Sequence, residues 1–172
     1  TGVDDGVSDG AQAVSLAVTV DSALSDPAYA AFDPADVTVT NADDDQQIIT
    51  INPTTLTTSE NGTTATFSVS LSTAPADDVV VDITTNDGGL EISLDKTTLT
   101  FTTGDWATAQ TVTVTGLNDG DYDGDIDVTL TFDNSGGADT SFTLVPSSIT
   151  VTNLDNETTG EGTLTNPLPL DQ

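Results

Sequence analysis

Cysteine and histidine are both absent from this chain of 172 residues. Without cysteine there is no disulfide framework, no thiolate metal site and no cysteine nucleophile. Without histidine the chain lacks the commonest general base, and also the ligand on which catalytic zinc, copper and non-haem iron sites usually depend. These two absences argue against an enzyme, and we expect no catalytic residues.

Positive charge is nearly absent as well. Lys96 is the single Lys or Arg residue against 29 Asp and Glu residues, and the formal net charge is -28. Because no basic surface is available to neutralise phosphates, we expect neither nucleic acid nor an anionic membrane surface as a partner. No apolar run approaches the roughly 18 to 20 residues that span a bilayer, so membrane insertion is not expected. The partner that this charge favours is a cation.

What the chain does contain is apolar residues alternating with Thr, Ser and Asp. This period of two, rich in β-branched residues, predicts half-buried strands. Clusters of Gly, Asn and Asp separate the strands at roughly ten-residue spacing, which is typical of an all-β sandwich. The prolines of residues 26–37 predict a loop with a short helical turn, and Trp106 is expected to pack at the sandwich edge. The clearest predicted strands are residues 65–71, 79–85, 99–103, 110–116, 127–133 and 148–153.

An internal repeat divides the chain. TGVDDGVSDGAQAVSLAVTV, from Thr1, aligns without gaps on TGLNDGDYDGDIDVTLTFDN, from Thr115, and the copies end alike as VTVTNADDD and ITVTNLDNE. Residues 46–114 have no counterpart before the first copy. The repeat therefore predicts a partial unit over residues 1–45, a complete unit over residues 46–157 and a tail over residues 158–172.

The partial unit creates a physical problem. Two or three strands cannot bury enough apolar surface to be stable alone, and their edges would be unpaired. A neighbouring copy could complete the unit by adding a strand, either the tail or the start of the full unit. Completion of this kind does not close on itself and builds a filament of the chain with copies of itself. Two alternatives stay open: residues 1–45 belong to a longer tandem array, or they fold alone as a smaller domain.

The acidic stretch TGLNDGDYDGDID, residues 115–127, begins like an EF-hand loop, D-x-D-x-D-G. The match fails at position twelve, which is Leu130 instead of a bidentate Glu, and strands are predicted on both sides. The first copy replaces Asp121 and Asp125 by Val7 and Ala11. Both copies keep an acidic or amide pair, a following Asp and a closing acidic cluster, so these recurring residues are the candidate ligands.

The full unit also carries an ordered set of motifs: SENGTTATFSVSL, VDITTNDG, the NDG turn of residues 118–120 and the acidic cluster after ITVTN. In this order they resemble the Calx-β family of β-sandwich modules and, more loosely, the acidic immunoglobulin-like repeats of large bacterial adhesins. The resemblance implies an antiparallel immunoglobulin-like sandwich, an extracellular or cell-surface location and bound Ca²⁺. The family pattern departs at Asn156, in the middle of the closing triplet. The implied calcium ligands are Glu60, Asp87, Asn118, Asp119, Asp123, Asp155 and Glu157 in the full unit, and Asp4, Asp5, Asp9, Asp43, Asp44 and Asp45 in the partial one.

Elementary electrostatics leads to the same ion. Like charges a few ångströms apart cost roughly 1 to 4 kcal/mol each, depending on the local dielectric. A divalent cation bound by several carboxylate, amide and carbonyl oxygens reverses that cost. An acidic surface that serves only solubility is the competing interpretation, but dispersed acids would suit that role better than clusters.

Three classes of function follow from these observations. The favoured one is a non-enzymatic structural subunit of an extracellular fibre or adhesin, stiffened by calcium and assembled head to tail. The alternative is a ligand- or carbohydrate-binding surface module of a large repeat adhesin. An enzyme is disfavoured because dense, solvated carboxylates lack the apolar pocket that raises the pKa of a catalytic acid. Asn61 and Asn156 lie in N-glycosylation sequons, and the many Thr residues are candidates for O-linked sugars.

Overall fold

Two five-stranded sheets form the body of the protein, in a computed structural model that describes residues 1–3, 6–21, 23–29 and 31–157. One sheet has the order β4-β12-β10-β6-β8, and the other has the order β11-β3-β5-β9-β7. The predicted all-β, immunoglobulin-like sandwich is thereby confirmed. Its strands are β3 (Ile48–Asn52), β4 (Thr55–Ser59), β5 (Thr64–Leu71), β6 (Val79–Thr85), β7 (Ile92–Leu94), β8 (Thr98–Phe101), β9 (Gln110–Gly116), β10 (Ile126–Asp133), β11 (Thr143–Val145) and β12 (Ser148–Leu154).

The core lies between the sheets, where the inward residues of each strand meet. Along β12, for example, Ile149 and Val151 are buried while Thr150 between them is partly exposed. Phe67 and Phe132 join the two sheets edge to face, with ring centroids 5.6 Å apart and an interplanar angle of 77°. This geometry is favourable for aromatic pairs. Trp106 packs against this core from the margin, as the sequence predicts.

The first and last strands of the sandwich each pass from one sheet to the other. β3 pairs parallel with β11 in one sheet, and β4 pairs parallel with β12 in the other. The changes of sheet fall at Pro53 and Pro146, which lack the N–H group that a continuous ladder would need. Since Thr143 lies opposite Ile48 and Leu154 opposite Ser59, the chain enters at one end of the sandwich and leaves at the other.

Residues 1–45 contain two strands, β1 (Gln12–Leu16) and β2 (Val37–Asn41), which form a two-stranded sheet of their own. The loop between them contains a short 3₁₀ helix, Pro27–Tyr29, in the segment for which a helical turn is predicted. No helix among the described residues is long and apolar enough to cross a membrane.

The β1–β2 hairpin repeats the pairing of β10 with β12. Gln12 lies opposite Asn41, and the residues that align with them in sequence, Ile126 and Asn153, also lie opposite each other. The same correspondence holds for all five pairs of the shorter hairpin. The internal repeat is therefore also a structural repeat, although the predicted boundaries at residues 45 and 157 stay predictions.

The two hairpins differ in how much of their apolar side chains is exposed. The four apolar positions of the first are 58, 53, 50 and 50% exposed: Val14, Leu16, Val37 and Val39. Their counterparts in the sandwich are 1, 0, 2 and 0% exposed: Val128, Leu130, Ile149 and Val151.

Candidate metal centre

The topology brings the acidic loops of the full unit to one end of the sandwich. Because β10 is antiparallel to both β12 and β6, the residues before β10 lie beside those that follow the other two strands. In the second sheet, Ile92 at the start of β7 lies opposite Gly116 at the end of β9. Since β4 runs parallel to β12, Glu60 follows at this same end. Two groups of three carboxylates form here, each with one oxygen per residue within 4.8 Å of the others.

The first group consists of Glu60, Asp155 and Glu157. The main chain holds Asp155 from both sides, because its Oδ1 accepts the N–H of Glu157 (2.7 Å) and its Oδ2 accepts that of Gly124 (2.8 Å). Gly124 adopts a φ of 81°, in the left-handed region that favours glycine. Glu60 is only 4% exposed, and its Oε2 lies 3.4 Å from the N–H of Asn156.

The close approach of these carboxyl groups and their surroundings change the pKa values of Glu60 and Asp155. The neighbouring Glu157 carboxyl, with burial as a second cause, raises the pKa of Glu60 to about 7. Burial raises the pKa of Asp155, but the backbone N–H groups of Glu157 and Gly124 outweigh it and hold that pKa below its usual value. Without a cation, Glu60 therefore keeps a proton at pH values where an ordinary carboxyl has lost it.

The second group consists of Glu91, Asp119 and Asp123, of which Glu91 is buried and the two Asp residues are exposed. The Nδ2 group of Asn153 reaches Glu91 Oε2 at 3.4 Å and the carbonyl of Leu117 at 3.1 Å. Asn153, itself 1% exposed, thus fixes the buried carboxylate in relation to the loop that carries Asp119.

Asn118 connects the two groups. Its Nδ2 donates to Glu157 Oε1 at 3.2 Å, and Asp119 follows it directly in the chain. The two groups therefore form one cluster, the acidic end, which is built from four segments: Glu60, Glu91, the loop around Asn118 and the loop around Asp155.

Asp87, a predicted calcium ligand, lies in the turn between β6 and β7. Its Oδ1 accepts the N–H of Gly89, and its Oδ2 accepts those of Glu91 and Ile92, each at 3.1 Å. Burial raises the pKa of Asp87, but these bonds, together with one from Thr85, lower it by more. Asp87 belongs to neither carboxylate group and instead fixes the turn that carries Glu91.

The partial unit reproduces part of this arrangement. Asp43 accepts the N–H of Asp45 (2.9 Å) at Oδ1 and that of Gly10 (2.6 Å) at Oδ2, as Asp155 does in the full unit. These two bonds hold the pKa of Asp43 below its usual value. Asp9 and Asp44, which are exposed, line the same depression as Asp43.

Among the described residues, the partial unit brings no three carboxylates as close together as either group of the full unit. The described residues of the partial unit form no counterpart of β4, and so supply none of Glu60. The predicted ligands Asp4 and Asp5 lie outside the described residues.

Glu91 is the site residue that the sequence analysis missed. The alternation of β7 is too short to show that a Glu preceding it is buried, and Glu91 lies outside the repeated segments, so it has no counterpart for comparison. One signal was available: Glu is rare here, with only four against 25 Asp, and Glu60 and Glu157, two of the others, are also at the acidic end.

The donor set at the acidic end fits a hard divalent cation. All its charged atoms are carboxylate oxygens, and buried Glu157 Oε2 has no hydrogen-bond partner within the described part of the chain. A buried carboxylate oxygen without a donor is costly unless an ion or water meets it. Ca²⁺ accepts several such oxygens in flexible geometry, whereas zinc and copper sites usually draw on the His or Cys that this chain lacks.

Solved structures share this fold. The apo-form Calx CBD1 domain superposes with a TM-score of 0.50 at 21% identity, over 64% of this chain and 99% of that domain. The calcium binding domain CBD12 of CALX1.1 superposes with a TM-score of 0.50 at 20% identity, over 62% of this chain and 44% of that one. No protein-family model and no curated protein matches the sequence. At these identities the similarity shows a Calx-β-like, immunoglobulin-like sandwich and nothing finer.

Proposed function

We propose that this chain is a non-enzymatic structural subunit of an extracellular fibre or adhesin, stiffened by calcium and assembled head to tail with copies of itself. One observation carries the proposal: residues 1–45 form a hairpin that pairs like β10 and β12 but leaves its apolar face exposed. A surface of this kind is typical of an interface that another chain covers.

Calcium would bind at the acidic end through Glu60, Asp155 and Glu157 and through Glu91, Asp119 and Asp123. Bound there, it would supply a positive charge that neutralises the clustered carboxylates and ties the strand ends together. The fit of the donor set supports this step, as does the likeness to a structure described as a calcium binding domain. Because Glu157 lies next to the tail, the ion would also stiffen the junction with the following segment.

Thermal unfolding with and without chelator tests the calcium step. At a calcium concentration 100 times its dissociation constant, a ligand that binds only the folded state stabilises it by about 2.7 kcal/mol, which raises the midpoint of a domain this size by about 5 to 10 °C. We expect that difference between calcium and EGTA for the native chain. An unchanged midpoint in EGTA would refute the calcium step.

A matched pair of variants locates the ion. Glu60→Gln removes one charge at the acidic end, whereas Asp78→Asn removes one charge before β6, at the opposite end of the sandwich. We expect Glu60→Gln to abolish most of the calcium-dependent shift and Asp78→Asn to preserve it. Equal shifts in both variants would place the ion elsewhere.

A second candidate function is a ligand- or carbohydrate-binding module. Tyr29 and Phe32 favour it, because both are 62% exposed and lie together in the loop between β1 and β2, where Tyr29 O accepts the N–H of Phe32. Binding on a glycan array that is lost in Tyr29→Ala and Phe32→Ala would support this alternative. An array without binding would leave the structural subunit as the better account.

A further inference from the structure

In the complete unit, a parallel strand covers the outer edge of β12. β4 pairs there with Leu56 beside Val151 and Thr58 beside Asn153. The Thr58 hydroxyl donates to Asn153 Oδ1 at 3.0 Å, and both residues are buried. The equivalent edge of the partial unit belongs to β2, which pairs only with β1 in the described part of the chain.

The tail shares one short motif with the β3–β4 segment, Asn-Pro followed by Leu three residues after the Pro. Asn166-Pro167 follows Asn52-Pro53 by 114 residues, the same spacing that separates Thr115 from Thr1. At this spacing Leu170 aligns with Leu56, and Gln172 aligns with Thr58. The tail itself lies outside the described residues, so this correspondence rests on sequence alone.

We propose that residues 168–172 of a second copy add to the free edge of β2 as a parallel strand, in the register in which β4 pairs with β12. This register places Leu170 beside Val39 and Gln172 beside Asn41. The inference rests on the proposed head-to-tail assembly and names the two surfaces that form it.

The surface of the partial unit suits this occupant. Val14 and Val39 line an open groove that also contains Gly2 and Asn41. In the full unit the corresponding groove is filled by β4, since Ser59 packs so closely on Gly116 that a side chain there would overlap its carbonyl. Val39 is 50% exposed, so an added Leu would remove apolar surface from water. The backbone of an added strand would also form hydrogen bonds with the N–H and C=O groups along this edge of β2.

The Asn41 side chain already has the orientation that the pairing requires. Its Nδ2 donates to the carbonyl of Val3 at 3.1 Å, as Asn153 Nδ2 donates to Leu117. In Asn153 this leaves Oδ1 to accept the Thr58 hydroxyl. Gln172, whose amide can donate, would meet Asn41 in the same way.

The geometry favours the tail of a second copy over the chain's own tail. β2 leads into the end of the sandwich at Ile48, whereas the tail leaves from the end at Ser59. The eleven residue steps from Ile48 to Ser59 separate these ends by roughly 36 Å at about 3.3 Å per residue. Residues 158–167 would cover that distance only when almost fully extended, at about 3.3 to 3.6 Å per residue. The tail of another copy meets no such limit.

Cysteine pairing tests the register, because the chain has no cysteine of its own. Single variants Val39→Cys and Leu170→Cys are mixed and oxidised, and the full-length chains are separated without reductant. We expect a covalent dimer in this mixture. Controls are Val39→Cys alone and Val39→Cys mixed with Thr158→Cys, which should give background levels only.

Each outcome has a defined meaning. A dimer in the Val39→Cys sample alone would show that two partial units pair with each other. A further sample is the chain that carries both Val39→Cys and Leu170→Cys, in which a disulfide formed only within one chain would show that the tail serves its own hairpin. Either result overturns the proposal, as does a mixture that gives no more dimer than the Thr158→Cys control.

Light scattering of the native chain separates this inference from the proposed function. If the chain assembles but the Val39–Leu170 crosslink does not form, the proposed head-to-tail polymer stands and the contact between β2 and the tail is wrong. A chain that stays monomeric at all concentrations would reject both. Leu170→Asp should abolish assembly, whereas Asp171→Asn, at the position aligned with exposed Thr57, should preserve it.

Discussion

The two hairpins of this protein have the same local plan and opposite surroundings. β1 with β2 and β10 with β12 share register, turn glycines and the bonds around an acidic residue, Asp43 or Asp155. Yet Leu16 is 53% exposed, while its counterpart Leu130 is fully buried.

Some properties of a hairpin depend on its own sequence, and others depend on the strands that surround it. Register and loop geometry depend on residues near in sequence, so they recur wherever the segment recurs. Burial and a complete carboxylate group depend on residues 46–114, which supply β3 to β9 together with Glu60 and Glu91. A segment without those partners keeps its shape and exposes its apolar face.

The largest expected difference between the hairpins is in the free energy of unfolding when the equivalent Leu of each, Leu130 or Leu16, is replaced by Ala. Leu130→Ala should cost about 2 to 5 kcal/mol of unfolding free energy, because it leaves a cavity in a packed core. Leu16→Ala should change the stability of a dilute monomer by less than about 0.5 kcal/mol, because the side chain is half exposed. Denaturant unfolding measures both. A cost for Leu16→Ala that approaches that of Leu130→Ala would mean that the hairpin is covered even in the monomer.

A smaller difference is expected at the paired glycines. At Gly116 an added Cβ would overlap the Ser59 carbonyl and the Asn153 side chain, whereas at Gly2 the nearest atoms that it would meet belong to the exposed side chain of Asn41. Overpacking of a filled site costs about 1 to 3 kcal/mol, so Gly116→Ala should destabilise the sandwich by that amount. Gly2→Ala should have little effect because Asn41 can turn away.

Thermal unfolding of the two variants, with the native chain as reference, measures this difference. If Gly2→Ala lowers the midpoint as much as Gly116→Ala does, the groove of the partial unit is already occupied. In that case the comparison between a filled and an open groove would be wrong.

Much of the fold was predictable from sequence because strand alternation and turn residues are local signals. The six predicted strands are all present with ends within two residues, and β8 ends early because the Thr102 N–H is bound by Asp105 in the following turn. β4 and β7 were less predictable: β4 has a single apolar residue, Leu56, among Thr and Ser, and β7 has three residues. Their positions are set by the strands they pair with.

The acidic residues in the repeated loops of the candidate site were predictable from sequence, whereas Glu91, which joins them from another strand, was not. Asp119, Asp123, Asp155 and Glu157 recur in or near repeated motifs, so the sequence identifies them. Whether an acid faces an ion or a turn depends on tertiary geometry, and the sequence does not show that both oxygens of Asp87 accept backbone N–H groups. Glu91 enters the site only because β7 pairs with β9.

The smallest expected difference concerns pH, and it should arise from the complete unit because only that unit contains Glu60. With the folded-state pKa of Glu60 raised to about 7, the metal-free folded chain binds more protons than the unfolded chain between about pH 4.5 and 7. Stability falls with rising pH wherever the folded state holds the extra proton. In EGTA, the unfolding midpoint should therefore fall across this window and then level off.

Asp155 does not interfere with this measurement, since its pKa is lowered and its contribution is lost only as pH falls below the ordinary Asp range. Glu60→Gln removes the titrating group while keeping its size, so the fall between pH 4.5 and 7 should disappear in that variant and persist in Asp78→Asn. Saturating calcium should also flatten the native profile, because the ion displaces the proton from Glu60. A metal-free midpoint that rises through this window would show that Glu60 does not hold its proton there, and this difference between the two units would be wrong.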